Sequence, residues 1–253
     1  MSVEQYILSS KESGKPMLAV LLDPEKLTDE AEICRIGRLI GLHRPDFVFV
    51  GGSTYFSSVS PLVKALRPLI DGVPVVLFPG HPSQFAPEAD ALLFLTLISG
   101  KNPETLFGQQ AASARRVKDS GIETISMGYI LVDGGKESAA ARATGTTAIS
   151  ASEPETIADT ALAGEMLGLH SIYLEAGSGA AVPAGAGLIA RVRDSIACPL
   201  IVGGGIHTPE QAEAAWLAGA DIVVVGNHLE QFPEDLPLFS SARNSLKNQQ
   251  IKI

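Results

Sequence analysis

Eight short runs dominated by Val, Ile and Leu recur along this chain of 253 residues, each followed by a turn and then by a stretch with helical spacing. They fall at residues 17–22, 47–50, 73–78, 91–97, 123–130, 171–175, 200–202 and 221–225. Their near-continuous apolar content suits strands covered on both faces, the condition of a parallel sheet. Eight alternations at this length, with no linker or composition shift between them, imply one domain over residues 1–253. The expected fold is a single (β/α)₈ TIM-type barrel.

Helix signals lie between the runs. Asn102-Pro103 offers a cap before a proline, Ser152 with Glu155 and Thr208 with Gln211 fit capping boxes, and Gly121, Gly168 and Gly219 stand where helices would stop. Two connections break the rhythm. Residues 79–90 carry Pro79, Pro82 and Pro87 in a crossover too short and too proline-rich for a full helix, so the third outer helix is expected to be missing or replaced by a short segment. Residues 131–150 form a long stretch rich in Gly, Ala, Ser and Thr, readable as a lid over the site or as a plain surface excursion.

Composition excludes several classes. The formal net charge is -9, so no basic surface is available to follow a nucleic-acid backbone. No apolar stretch approaches the roughly 20 residues that a bilayer span requires. The first residues, MSVEQYILSSKESGK, lack the apolar core of a signal peptide, which leads us to expect a cytoplasmic protein. Cys34 and Cys198 read as small buried hydrophobes rather than nucleophiles, and Met17, Met127 and Trp216 as core. The five histidines show no zinc-binding spacing, although His81 and His207 follow strand ends.

The chemistry concentrates where strands end. YLEAGSG at 173–179, GGGI at 203–206 and VGN at 225–227 close three successive strands with glycine, whose bare backbone allows close approach to an anion. In barrels of this kind phosphate is commonly held near strands seven and eight. Glu175 is the one carboxylate among these turns. Its functional reading is acceptor of a substrate hydroxyl's proton, with an ordinary pKa sufficient for the task, and its structural reading is an ion pair with a neighbouring element. Asp23 and Ser53, at the ends of strands one and two, are hard oxygen ligands suited to Mg²⁺ that keeps most of its waters; Asp before a proline is also a common helix cap.

LLDPEK, VGGST, FPG, GYILVDGG, YLEAGSG, IVGGGI and AGADIVVVGN follow one another from Leu21 to Asn227. In that order they resemble the geranylgeranylglyceryl phosphate synthase family across nearly the whole chain. The resemblance implies a Mg²⁺-dependent prenyltransferase that moves a geranylgeranyl group from its diphosphate to the C3 hydroxyl of sn-glycerol 1-phosphate. Asp23 and Ser53 match the family's metal positions. Tyr173, Leu174, Glu175, Ala176, Gly177, Ser178, Gly179, Gly204, Gly205, Gly226 and Asn227 match its glycerol-phosphate positions, and Tyr129 a site-lining tyrosine. Lys26 would assist the leaving diphosphate, and Phe78, Phe94 and Leu95 would line a groove for the tail, flanked by Ala86, Ala89 and Ala91.

The resemblance also implies a homo-oligomer, with a peripheral membrane contact for product release. His207 stands where the family usually has Arg, and His81 where a small residue is commoner. The leucines before Asp23 replace a lysine of the heptaprenyl-transferring relatives and favour the geranylgeranyl branch. Two rival readings remain at this level: another phosphate-binding barrel enzyme, such as a phosphosugar isomerase, or a non-catalytic barrel that binds a phosphometabolite.

Overall fold

A computed structural model describes residues 1–250. In chain order its elements are α1 (Val3–Glu12), β1 (Met17–Leu22), α2 (Glu30–His43), β2 (Phe47–Val50), α3 (Ser60–Leu66), β3 (Val75–Leu77), β4 (Ala91–Leu97), α4 (Gln109–Ser120), β5 (Glu123–Leu131), α5 (Ala139–Thr144) and α6 (Pro154–Met166). They continue with β6 (Ser171–Glu175), α7 (Ala186–Arg193), β7 (Leu200–Gly203), α8 (Pro209–Leu217), β8 (Ile222–Val225), α9 (Asn227–Gln231) and α10 (Leu236–Gln250). All eight strands pair parallel to their sequence neighbours, and β8 closes on β1, making the expected barrel. β3 is shorter than residues 73–78, because Pro74 has no N–H to give the ladder and Phe78 joins only through its own N–H to Val50 O.

Along each strand side chains alternate between two cores. The inner one stacks aromatics: Phe47, Phe49, Phe78 and Tyr173 follow one another with ring centroids 5.2–6.0 Å apart, and Tyr129 lies 5.3 Å from Tyr173. The outer core, between strands and helices, takes Ile172, Leu174, Val202, Val223 and their equivalents. α1 has no counterpart in the expected pattern. Its Val3 and Ile7 plug the lower end of the barrel against Met17, Phe47 and Met127, and both carboxylate oxygens of Glu123 accept its first amides at 2.8 Å.

Helix termini follow the local chemistry with one exception. Thr208 and Gln211 form the capping box at α8, and Gly121, Gly168 and Gly219 all take positive φ at helix ends. Ser152 does not cap α6. Pro154 occupies the first helical position, which makes Glu153 the cap residue, and Ser152 pairs instead with Ser150 at 2.8 Å. Both cysteines are half-buried rather than fully enclosed, and burial pushes the Cys198 thiol up to about 12.

Between β3 and β4 no helix forms among the described residues, as the prolines required. Gln84 takes over part of its work. Only 1% exposed, its carboxamide donates to Gly52 O at 2.6 Å and Tyr55 O at 2.5 Å, and accepts from Gly52 N and Gly80 N at 3.2 Å. It therefore ties the loop after β2 to the loop after β3. Gln84→Ala leaves these backbone groups unpaired and is expected to lower stability by about 2–4 kcal/mol. Urea denaturation checks this, and an unchanged midpoint would show that the two loops stand without the clamp.

Candidate active site

One cleft opens at the carboxyl ends of the strands. Its wall includes Asp23, Ser53, Phe78, Tyr129, Tyr173, Glu175, Ser178, Gly179, Gly204, Gly205, Gly226 and Asn227, drawn from seven of the eight strand ends. Leu174, Ala176 and Gly177 are not on that wall. Leu174 alternates outward into the helix-facing core, Ala176 N–H is spent on Gly203 O at 3.0 Å, and Gly177 N–H on Glu175 Oε1 at 2.7 Å.

The amides of Ser178, Gly179, Gly204, Gly205, Gly226 and Asn227 carry no protein hydrogen bond among the described residues, so they are free for a ligand. Glycine is required at Gly204 for two reasons. Its φ is +82°, and a Cβ there would collide with Glu175 Oε1 and Gly177 N. Gly226 differs, since a Cβ would meet only Leu21 side-chain atoms at 3.5 Å, an ordinary contact. His207 and His228 border this end, their rings 6.2 Å apart, with His228 Nε2 held 2.8 Å from Asp235.

Glu175 sits on the inner aromatic stack and is 6% exposed. Burial raises its pKa above the usual carboxylate range, against the opposing pull of the Gly177 amide and the nearby Tyr129 and Tyr173 hydroxyls. It is therefore not an ordinary carboxylate, although one would suffice for the role read from the motif, nor does it sit in an ion pair. At hydrogen-bonding distance only Gly177 N–H meets it, and Tyr173 Oη is buried without a partner among the described residues. Both tyrosines are held well above their usual pKa by burial first and by the Glu175 charge second, so they remain neutral donors.

At the opposite wall Asp23 lies against the end of β2, where a Cβ on Gly52 would come within 2.5 Å of its Oδ1. Oδ1 accepts Glu25 N–H at 3.0 Å, while Oδ2 faces no protein donor among the described residues. Burial raises the Asp23 pKa, and the Glu25 amide and Lys26 charge oppose this. Asp23 and Ser53 form a sparse hard-oxygen set, and no group of three or more acidic, His or Cys side chains able to hold a metal occurs among the described residues. Such a set fits a cation that keeps most of its waters and does not fit a fully protein-bound one. Lys26 lies off the cleft wall. Its ammonium is spent on Glu230 at 2.7 Å and Asn227 at 2.5 Å. Glu230, which no motif pointed to, lines the cleft and accepts Asp23 N–H at 2.7 Å.

From Tyr129 the cleft runs on as a groove past Phe78, Leu92, Phe94, Leu95 and Leu97, under the gap left by the missing helix. Ala86, Ala89 and Ala91 do not line it, because all three are packed into the cores. Small residues on its wall are instead Ser113 of α4 and Ala140 of α5. The stretch 131–150 lies over the cleft as α5, its ends pinned by the bridge between Val132 and Ile149, which fits a cover better than a plain excursion.

Residues 12–238 match the PcrB family. The chain is 43% identical over 225 residues to a geranylgeranylglyceryl phosphate synthase of Chitinophaga pinensis, covering 88% of each chain. It is 44% identical to one of Spirosoma linguale, covering 90% of this chain and 91% of that one. Among solved structures, the (S)-3-O-geranylgeranylglyceryl phosphate synthase of Thermoplasma acidophilum, in complex with its substrate sn-glycerol-1-phosphate, superposes with a TM-score of 0.85 at 32% identity, covering 96% of this chain and 98% of that one.

The raised pKa of Glu175 has a measurable consequence. A carboxyl whose folded pKa lies above its unfolded value of about 4.3 favours folding fully below that value and loses the contribution as pH rises through the folded pKa. Glu175→Gln keeps an oxygen for Gly177 N–H and has no charge to bury. It is expected to raise the Tm at pH 7–8 by a few degrees, with the difference closing towards pH 4. Thermal denaturation across pH checks this, and a lower Tm at pH 8 would show that the charge is stabilised in place.

Proposed function

The chain belongs to the PcrB family, and from that premise we propose that it is a prenyltransferase moving a geranylgeranyl group from geranylgeranyl diphosphate to the C3 hydroxyl of sn-glycerol 1-phosphate. The observation that carries this reading is the continuity of one cleft: free glycine amides at one end, a buried carboxylate in the middle and an apolar groove beyond it. A phosphate, a hydroxyl and a long tail are the three parts that such a sequence of surfaces accommodates in order. A phosphosugar isomerase has no use for the groove, and a passive binding barrel none for Glu175.

In the proposed reaction the acceptor phosphate rests on the amides of Ser178, Gly179, Gly204, Gly205, Gly226 and Asn227. The C3 oxygen forms a bond to C1 of the prenyl chain as the C1–O bond to diphosphate breaks, its electron pair leaving with diphosphate. The hydroxyl proton passes to Glu175. Tyr129 and Tyr173, neutral and inward-facing, orient the reacting groups above the aromatic floor. We assign Mg²⁺ to Asp23 and Ser53, where it would neutralise charge developing on the leaving diphosphate. The charge balance of the cleft supports this. Its wall carries Asp23, Glu175 and Glu230, while Arg116 is the one Lys or Arg on it among the described residues, turned to Pro82 O and the Phe85 ring.

The same reading sets the reaction in the cytoplasm, in a homo-oligomer, with peripheral contact to a membrane when product leaves. No described helix is long and apolar enough to cross a membrane. Phe56 and Phe107, both largely exposed beside cleft residues, support contact with lipid at the mouth, and Met166, Leu167 and Leu217 at the far ends of α6 and α8 support contact between subunits.

Radiolabelled sn-glycerol 1-phosphate supplied with C15, C20 and C35 diphosphates is expected to give most lipid-extractable ether product from C20. No lipid product from any donor sinks the reading. Glu175→Gln should lower kcat on the order of 10² to 10⁴ with little change in acceptor KM, and Asp23→Asn or excess EDTA should nearly abolish transfer. Wild-type kcat in the first, or full activity in the second, removes the corresponding role. Ser113→Trp and Ala140→Trp should shift donor preference from C20 towards C15, and an unchanged preference would place the tail elsewhere.

A further inference from the structure

Asn227 Oδ1 accepts two hydrogen bonds, one from Lys26 Nζ at 2.5 Å and one from Ser178 Oγ at 3.0 Å. An ammonium can only donate, so the orientation of this amide is set by chemistry: the oxygen faces Lys26, and Nδ2 faces away. Where Nδ2 points is visible from Gly179, at which a Cβ would lie 3.7 Å from it. The two N–H donors of Asn227 are thus presented to the turn whose free amides form one side of the candidate phosphate cradle.

Lys26 is in turn anchored by Glu230, whose side chain is only 5% exposed. Glu230 Oε2 takes the Lys26 ammonium at 2.7 Å and Oε1 takes the backbone N–H of Asp23 at 2.7 Å. One carboxylate therefore fixes two things at once. Through Lys26 it fixes the orientation of Asn227, and through Asp23 N–H it fixes the residue that opens the opposite wall of the cleft. Lys26, read from the sequence as a direct helper of diphosphate, has its ammonium turned to this chain instead.

We infer that Glu230 is a positioning residue for transfer: through Lys26 it locks Asn227 with its amide nitrogen towards the acceptor phosphate, and it holds that end of the cleft in register with Asp23. The inference rests on the transfer reading, which supplies the acceptor. Loss of the Glu230 charge frees Lys26, and Asn227 is then able to rotate its oxygen towards the phosphate, where an acceptor meets an anion and repels it.

Calorimetric titration of the full chain with sn-glycerol 1-phosphate, without added metal, tests this apart from turnover. Glu230→Ala, Lys26→Met and Asn227→Ala are each expected to weaken binding about tenfold, and Glu230→Ala combined with Asn227→Ala to be no weaker than Asn227→Ala alone. Glu230→Gln, which keeps an acceptor for Asp23 N–H, should recover part of the loss and remain measurable if Glu230→Ala fails to fold. In the transfer assay acceptor KM should rise about threefold in Glu230→Gln, less than the affinity lost in Glu230→Ala, with kcat within about threefold of wild type. Wild-type affinity in Glu230→Gln and Lys26→Met, or an additive double variant, overturns the inference alone. Absence of acceptor binding by the wild-type chain overturns the transfer reading as well.

Discussion

The inside of an eight-stranded parallel barrel has to be filled by side chains, because the strands leave a core there and not a pore. Everything at the site depends on how this chain meets that demand. With a period of two residues, Tyr173 and Glu175 point inward and Ile172 and Leu174 outward. Phe47 and Phe49 fill the lower interior and Phe78, Tyr129 and Tyr173 the top, so the last filled layer of the core is also the floor of the cleft. Glu175 rests on that floor, and its burial follows directly. The same packing that closes the barrel raises the proton affinity of the carboxylate proposed to take the hydroxyl proton.

This explains which parts of the site could be read from the sequence and which could not. Strand order, the glycine turns and the missing helix are local properties: prolines at 79, 82 and 87 forbid a helix wherever the chain goes, and glycines at 204 and 205 permit positive φ in any context. A motif, however, does not say which of its residues face the cleft. YLEAGSG reads as one unit, yet strand alternation and two internal hydrogen bonds withdraw Leu174, Ala176 and Gly177 from the wall. Glu230 was illegible because its partners, Asp23 and Lys26, lie more than 200 residues away. Gln84 was illegible for a related reason, since a lone Gln in a proline-rich loop acquires meaning only when the loops after β2 and β3 are side by side. The plug helix α1 precedes the first strand, where the β/α alternation calls for no helix.

The short third crossover has a second effect beyond the groove that it opens. A missing helix leaves the outer faces of β3 and β4 without their usual cover, and Ala86 and Ala89 fill that space from the loop while Gln84 clamps its start. Small side chains near the gap are therefore structural filler, and the boundary of the groove passes to α4 and α5, whose Ser113 and Ala140 face it. In the proposed function, specificity for tail length would be set by elements outside the barrel, free to vary without disturbing the strands.

The least intuitive property of the cleft is its charge. A chain with net charge -9, with three carboxylates on the cleft wall and one arginine facing elsewhere among the described residues, is proposed to bind two anionic substrates. Burial raises the pKa of all three carboxylates, which marks a site where negative charge is already costly. Backbone amides answer part of this, since they attract an anion at contact range without adding a side-chain charge that would also pair with Asp23 or Glu230. In the proposed reaction amides hold a monophosphate at one end, but a diphosphate arriving beside Asp23 would bring more charge than the few donors there can offset. The proposed cation at Asp23 and Ser53 would meet that need only when substrate is present, which fits so sparse a protein ligand set: with one carboxylate and one hydroxyl, most of its coordination would come from water and from diphosphate itself. An acidic wall and a sparse cation site are then one design, in which neither the cation nor the diphosphate is held strongly without the other.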